Sequence, residues 1–318
     1  MNTNILISAI GAAILALIGG PIFIPWLRNL NAEQSIREDG PKSHLKKGGT
    51  PTIGGIIFLT AVLIAVLVFK VFDKNIIIIM LSTYMFALIG FIDDYIKVVK
   101  KRNLGLTAKQ KLAFQLLASI IVIVFQYRFA TLPTSIFIPF IKRYVDFGFL
   151  YIPFIIFVII GTTNSTNLTD GLDGLSSGVT IVTMIFLVVM AKMVNEIQIA
   201  RFAAVFAGAL LGFLFYNRYP ARVFMGDTGS LALGGAVSGI AICLKYPLIL
   251  PVLGGVYFIE TLSVIIQVVV FKKTGKRVFL MSPLHHHFEG KGWSEKKAVY
   301  VFYCAAIVFG LLGYLMVK

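Results

Sequence analysis

Apolar runs long enough to cross a lipid bilayer recur along the whole 318-residue chain. Hydrocarbon offers the backbone no hydrogen bonds, so continuous runs of this length fold as helices that satisfy their own. Runs near 4–27, 51–72, 75–95, 112–130, 150–164, 175–194, 199–216, 230–246, 248–271 and 297–317 predict an all-α integral membrane protein with about ten transmembrane helices. With 58% hydrophobic and 14% charged residues, the composition excludes an ordinary soluble domain. Residues 1–318 read as a single polytopic domain. The first run reads as a retained helix, because Met1 to Asn4 carries no basic side chain and no small-x-small cleavage site follows.

Charge sets the orientation. Loops after the odd-numbered runs, with Lys297 at the edge of the last run, hold 20 of the 29 Lys and Arg residues. The positive-inside rule places those loops in the cytoplasm and both termini outside. The net charge of +15 sits in short clusters flanking helices. Such clusters suit anionic lipid headgroups and a phosphate-bearing substrate, not nucleic acid. Cys243 and Cys304 lie inside apolar runs and read as core residues, with no disulfide framework or zinc spacing. The external segment 131–149, with Pro133 and Pro139, is predicted to form a short hairpin.

On this topology the loops 28–50, 92–111, 161–174, 217–229 and 272–296 share one face, and they carry the polar clusters. The stretch NSTNLTDGLDGL at 164–175 puts Asp170 and Asp173 between apolar runs. A charge near the bilayer centre costs roughly 2.5–3.5 kcal/mol, so this stretch belongs at a water-facing edge or where it grips a ligand. Asp93-Asp94 ends the third run. Adjacent helical residues point about 100° apart, so one acid is free to face a ligand while the other faces a neighbouring helix. Lys97 follows Asp93 at i+4, although a solvated helix end with a surface ion pair would read the same way. Asp227, in FMGDTGS at 224–230, either approaches a ligand between flanking glycines or caps the eighth helix with Ser230 nearby. GTPTIGG at 49–55, behind Lys46-Lys47, reads equally as an anion site or as a plain entry into a helix. His285, His286 and His287 can donate to phosphate, whereas three consecutive side chains do not easily converge on one ion. Glu260, inside the ninth run, reads as a packing or pairing residue. No P-loop and no GxGxxG occurs. Carboxylates, lysines and histidines on one membrane face are what Mg²⁺-assisted pyrophosphate chemistry needs.

These motifs, in this order, resemble the polyprenyl-phosphate N-acetylhexosamine 1-phosphate transferases from about residue 28 to the C-terminus. GTPTIGG and the HHHFE run at 285–289 favour the muramoyl branch over the GlcNAc branch. The resemblance implies a bacterial plasma-membrane enzyme working from the cytoplasmic side, as a homodimer. It implies Mg²⁺-dependent transfer of phospho-MurNAc-pentapeptide from UDP-MurNAc-pentapeptide to undecaprenyl phosphate, giving lipid I and UMP. Residue by residue, it implies that Asp227 holds the magnesium ion and that Asp93, with Asp94 beside it, deprotonates the lipid phosphate. Asn167, Asp170 and Asp173 would line the same site. Phe224 would stack on uracil with Asn217 nearby, and Lys47 and Thr52 would lie on the nucleotide side. His285, among the catalytic residues, and His286 and His287 would lie near the phosphates and sugar. Lys97 would supply one site cation and Lys111 or Lys109 another. Direct in-line attack and a two-step route through a phosphorylated aspartate both remain open. A GlcNAc-1-phosphate transferase is the nearest alternative. A transporter is the non-enzyme alternative, but its charged site would sit near the midplane, reachable from both sides.

Overall fold

The computed structural model describes residues 3–30, 48–100, 105–129 and 134–318. The chain runs α1 (Thr3–Asn29), α2 (Gly55–Val68), α3 (Lys74–Lys100) and α4 (Ala108–Phe129). A hairpin of β1 (Ser135–Ile138) and β2 (Arg143–Asp146) follows, then α5 (Tyr151–Thr169), α6 (Leu175–Met193), α7 (Ile197–Asn217) and α8 (Gly226–Cys243). The chain ends with α9 (Leu250–Leu253), α10 (Gly255–Thr274), α11 (Leu284–Gly290) and α12 (Glu295–Val317). The protein is an all-α, multi-pass membrane protein. A helix lies at each of the ten apolar runs. Among the described residues eight are long and apolar enough to cross a membrane, namely α1, α3 to α7, α10 and α12. At 14 residues, α2 is shorter.

Helix α8 is the axis of the bundle. Almost every residue from Thr228 to Ile242 is buried, and it packs chiefly against α3 and α5. Small residues make this possible, because apolar lipid supplies no hydrophobic drive between helices and close backbone approach must replace it. A Cβ at Gly235 would press on the backbone of Ser82 in α3, and one at Gly234 would overlap Thr163 in α5. The α1–α7 pair uses the same device, with Gly208 and Gly212 lying against the carbonyls of Ala9 and Ala13. Large side chains such as Ile7, Ile10 and Ile14 stay exposed on the outer face of α1, as expected of a lipid-facing surface.

Three polar segments differ from the loops expected. Residues 161–169 form the last turns of α5. Their side chains bond back along the helix: Asn164 Nδ2 donates to the Ile160 carbonyl at 2.8 Å, Ser165 Oγ to Gly161 at 2.7 Å and Thr169 Oγ1 to Ser165 at 2.8 Å. Folding their own polar groups inward lets these residues continue a helix they would break in water. Helix α3 likewise continues past its acids to Lys100. The histidine run forms the short helix α11. The expected hairpin is present as an antiparallel pair with Ile136 opposite Val145. It is anchored where Phe137 N donates to the Lys245 carbonyl at 2.9 Å, just past the C-terminal end of α8. The hairpin and Asp227 therefore lie at opposite ends of α8, about 27 Å apart at 1.5 Å per residue.

Candidate active site

The site is built on the N-terminal end of α8, where three segments remote in sequence meet. Gly226 adopts φ +73°, a backbone conformation that favours glycine, and turns the chain into the helix. Pro51 O accepts from Phe224 N at 2.8 Å. Gly54 N and Gly55 N donate to Phe224 O and Met225 O, each at 2.9 Å. This pairing fixes the loop before α2 against the loop before α8. It also holds Ile53 at φ +67°, a conformation that costs a β-branched residue on the order of 1–3 kcal/mol. Thr52 is buried here beside Gly226, and Phe224 is half-buried.

From the other side, α3 delivers its two acids in different directions. Asp94 Oδ2 accepts from Thr228 N at 2.9 Å and Thr228 Oγ1 at 2.7 Å, while its Oδ1 accepts from Asp227 N at 3.1 Å. Asp94 thereby satisfies the open N–H groups of the first turn of α8, the work of an N-cap supplied in trans. Asp93 points elsewhere. Its Oδ1 accepts from Leu106 N at 2.9 Å and its Oδ2 lies 2.6 Å from Lys97 Nζ. Oxygens of Asp93, Asp94 and Asp227 all fall within 4.8 Å of one another.

Cations balance these acids. Lys97 Nζ and Lys111 Nζ lie 2.9 Å and 2.8 Å from Asp227 Oδ2. Asn167 Nδ2 donates to Asp227 Oδ1 and to Ser230 Oγ, both at 2.8 Å. Between the two candidate lysines it is thus Lys111 that reaches the acids, and Lys109 is exposed. The donor set is all oxygen and retains more negative than positive charge, which suits a hard divalent cation such as Mg²⁺. Burial pushes the Asp170 carboxyl up to about 8, and the charges of Asp227, Asp94 and Asp173 add to the shift.

The remaining candidates are distributed around this centre. Asp173 shapes the loops: its Oδ2 accepts from Ala221 N at 2.9 Å, and its backbone N donates to Glu295 Oε1 at 2.8 Å. Asn217 is buried, with Oδ1 accepting from Ser177 Oγ at 2.7 Å and Nδ2 donating to Val223 O at 3.1 Å. It braces the segment that presents Phe224. His285 is wholly buried, with its Nδ1 3.2 Å from Glu260 Oε2. His286 Nδ1 lies 2.9 Å from Glu289 Oε2, and His287 Nδ1 accepts from Leu280 N at 3.1 Å. Lys47 lies outside the described residues. Sequence reasoning missed Thr228, Leu106 and Glu295. Thr228 was visible inside the FMGDTGS motif, whereas Glu295 reaches Asp173 across 122 positions and leaves no local signal.

Relatives decide the family. The glycosyl transferase family 4 matches residues 76–245, more than half of the chain. The phospho-N-acetylmuramoyl-pentapeptide-transferase of Thermoanaerobacter sp. (strain X514) is 51% identical over 314 residues, 99% of each chain. Proteins with that same name from Halalkalibacterium halodurans and Heliobacterium modesticaldum are 48% and 52% identical, covering 97% and 96% of this chain and 96% and 95% of their own. The chain belongs to the phospho-N-acetylmuramoyl-pentapeptide-transferase family. The stretch matched to glycosyl transferase family 4 runs from α3 to just past α8, so it contains Asp93, Asp94, Asp170, Asp173 and Asp227. The histidines of α11 lie beyond it.

Proposed function

We propose that this protein transfers phospho-MurNAc-pentapeptide from UDP-MurNAc-pentapeptide to undecaprenyl phosphate at the cytoplasmic face of the bacterial plasma membrane, releasing UMP and lipid I. The observation that carries this reading is the meeting of Asp93, Asp227, Lys97 and Lys111 at one end of α8. It occurs in a chain about half identical, over nearly its full length, to proteins named for that transfer. A site at one membrane edge would serve a water-soluble donor and a lipid acceptor at once.

Asp227 is the residue that would hold Mg²⁺, with Asp93 beside it. When bound, the ion neutralises charge on the pyrophosphate. Lys97 and Lys111 add positive charge where negative charge develops on the leaving UMP. Asp93 accepts the proton of the lipid phosphate. A phosphate oxygen of the lipid then bonds to the sugar-linked phosphorus, and the bond from that phosphorus to the UMP oxygen breaks with its electron pair. Asn167 holds Asp227 in register, and Asp94 acts by fixing the end of α8 that carries it. Phe224 and Thr52 lie where the paired loops would receive the nucleotide, with Asn217 behind them. Asp170 and Asp173 belong to the turn bordering the acids, and His286 and His287 to the sugar side.

The test is UMP release by purified protein in detergent with undecaprenyl phosphate, Mg²⁺ and either UDP-MurNAc-pentapeptide or UDP-GlcNAc. Release with the muramoyl donor alone is expected. Release with UDP-GlcNAc alone would transfer the reading to the GlcNAc branch. Phosphate label retained on the protein from donor alone would replace direct attack with the two-step route.

A further inference from the structure

Helix α10 carries Glu260 into the bundle, where it is wholly buried against His285 of α11, itself wholly buried. The two approach at 3.2 Å, yet bent out of hydrogen-bonding alignment. Neither carboxylate oxygen and neither ring nitrogen has a hydrogen-bond partner among the described residues. Such a pair is expensive: an apolar pair of similar volume would be at least as stable. Buried polar atoms left in this condition call for a reason beyond packing.

The reason lies on the other side of the ring. His285 Nε2 presses on Gly171, where a Cβ would overlap the imidazole. Gly171 follows Asp170 in the turn between α5 and α6, and Asp173 on the same turn is gripped by Glu295 and Ala221. The turn is thus held at one end by α12 and the loop after α7, and His285 lies against the other.

We propose that Glu260 is a positioning residue of the active site, acting through His285, whose imidazole braces the Asp170–Gly171 turn. The Glu260 carboxylate faces Nδ1 of His285 at 3.2 Å and, by the negative charge on its oxygen, sets the orientation of the ring that supports the turn. Neither residue touches substrate in this role. The proposal rests on the transferase reading above, and wild-type UMP release is the control that separates failure of one from failure of the other.

The experiment compares Glu260→Gln, which keeps an oxygen acceptor, with Glu260→Leu and Glu260→Met, which keep the volume and lose it. UMP release and melting temperature in detergent are both measured. The apolar variants should lose roughly tenfold in kcat/KM for the muramoyl donor, about 1.4 kcal/mol of positioning lost with the charged contact. They should keep the wild-type KM for undecaprenyl phosphate and lose activity at temperatures well below their melting transition. Glu260→Gln should stay within about threefold of wild type. In a His285→Ala background, adding Glu260→Leu should change activity less than about twofold, because coupled residues do not lose independently. Wild-type activity in Glu260→Leu, a loss in Glu260→Gln as large as in Glu260→Leu, or additive losses with His285→Ala would overturn the proposal. So would a fall in activity that tracks a fall in melting temperature in both apolar variants, since that would mark a structural role alone.

Discussion

Lys97 of α3 places its ammonium 2.9 Å from the carboxylate of Asp227, 130 positions further along the chain at the head of α8. The same ammonium lies 2.6 Å from Asp93, so it bridges the acid that would hold a divalent ion and the acid that would take the lipid proton. It occupies ground such an ion would claim. Lys97→Met should therefore tighten cation binding while slowing transfer. Half-saturation by Mn²⁺ should occur at a concentration roughly tenfold lower, the effect of about 1.4 kcal/mol. Turnover should fall because one of two site cations is gone. Weaker Mn²⁺ binding in Lys97→Met would show that the lysine supports the ion and does not compete with it.

Gly90 sets how closely α3 approaches α8. A Cβ there would overlap the backbone of Asp227. Gly90→Ala should destabilise the protein by about 1–3 kcal/mol, the usual cost of overpacking, and disturb the site as well. Gly161→Ala in α5 is the matched control, since nothing lies within 4 Å of the added carbon. It should be neutral or gain about 0.5–1 kcal/mol from lower backbone entropy. Thermal melts in one detergent compare the two, and equal losses would contradict this packing.

Asp170, with its carboxyl pushed up to about 8, is largely protonated at neutral pH. Protonation removes a negative charge beside the acid cluster, and a bound cation favours the ionised form. Cation affinity should therefore rise as pH passes through about 8 and level off above it. Asp170→Asn should abolish that slope while leaving residual binding. Calorimetric Mn²⁺ titrations from pH 6.5 to pH 9 test this, and a flat wild-type profile would exclude Asp170 from the electrostatics of the site.

Much of this was legible in the sequence because two signals are strong without tertiary context. Apolar length marks the helices, and acids at their boundaries mark the candidate site. The 100° offset between Asp93 and Asp94 foretold their division of work, one toward Lys97 and the other capping α8. The end of α5 was misread because Asn164, Ser165 and Thr169 look like loop residues until their side chains bond back to the helix. The Glu260–His285 contact was open only as far as some pairing for Glu260, because nothing local says which residue 25 positions away shares its burial. Glu295 carried no signal either, as its work is to hold the backbone of another loop.

The most direct measurement is stoichiometric Mn²⁺ binding, followed by electron paramagnetic resonance, to the detergent-purified wild type, Asp93→Asn and Asp227→Asn. Oxygens of Asp227 and Asp93 lie within 4.8 Å of one another at the head of α8, so the wild type should bind one ion per chain at this site. Asp227→Asn should lose it and Asp93→Asn should weaken it by roughly tenfold or more, with helix content unchanged in both. An Asp227→Asn protein that binds the ion as tightly as wild type would contradict the account.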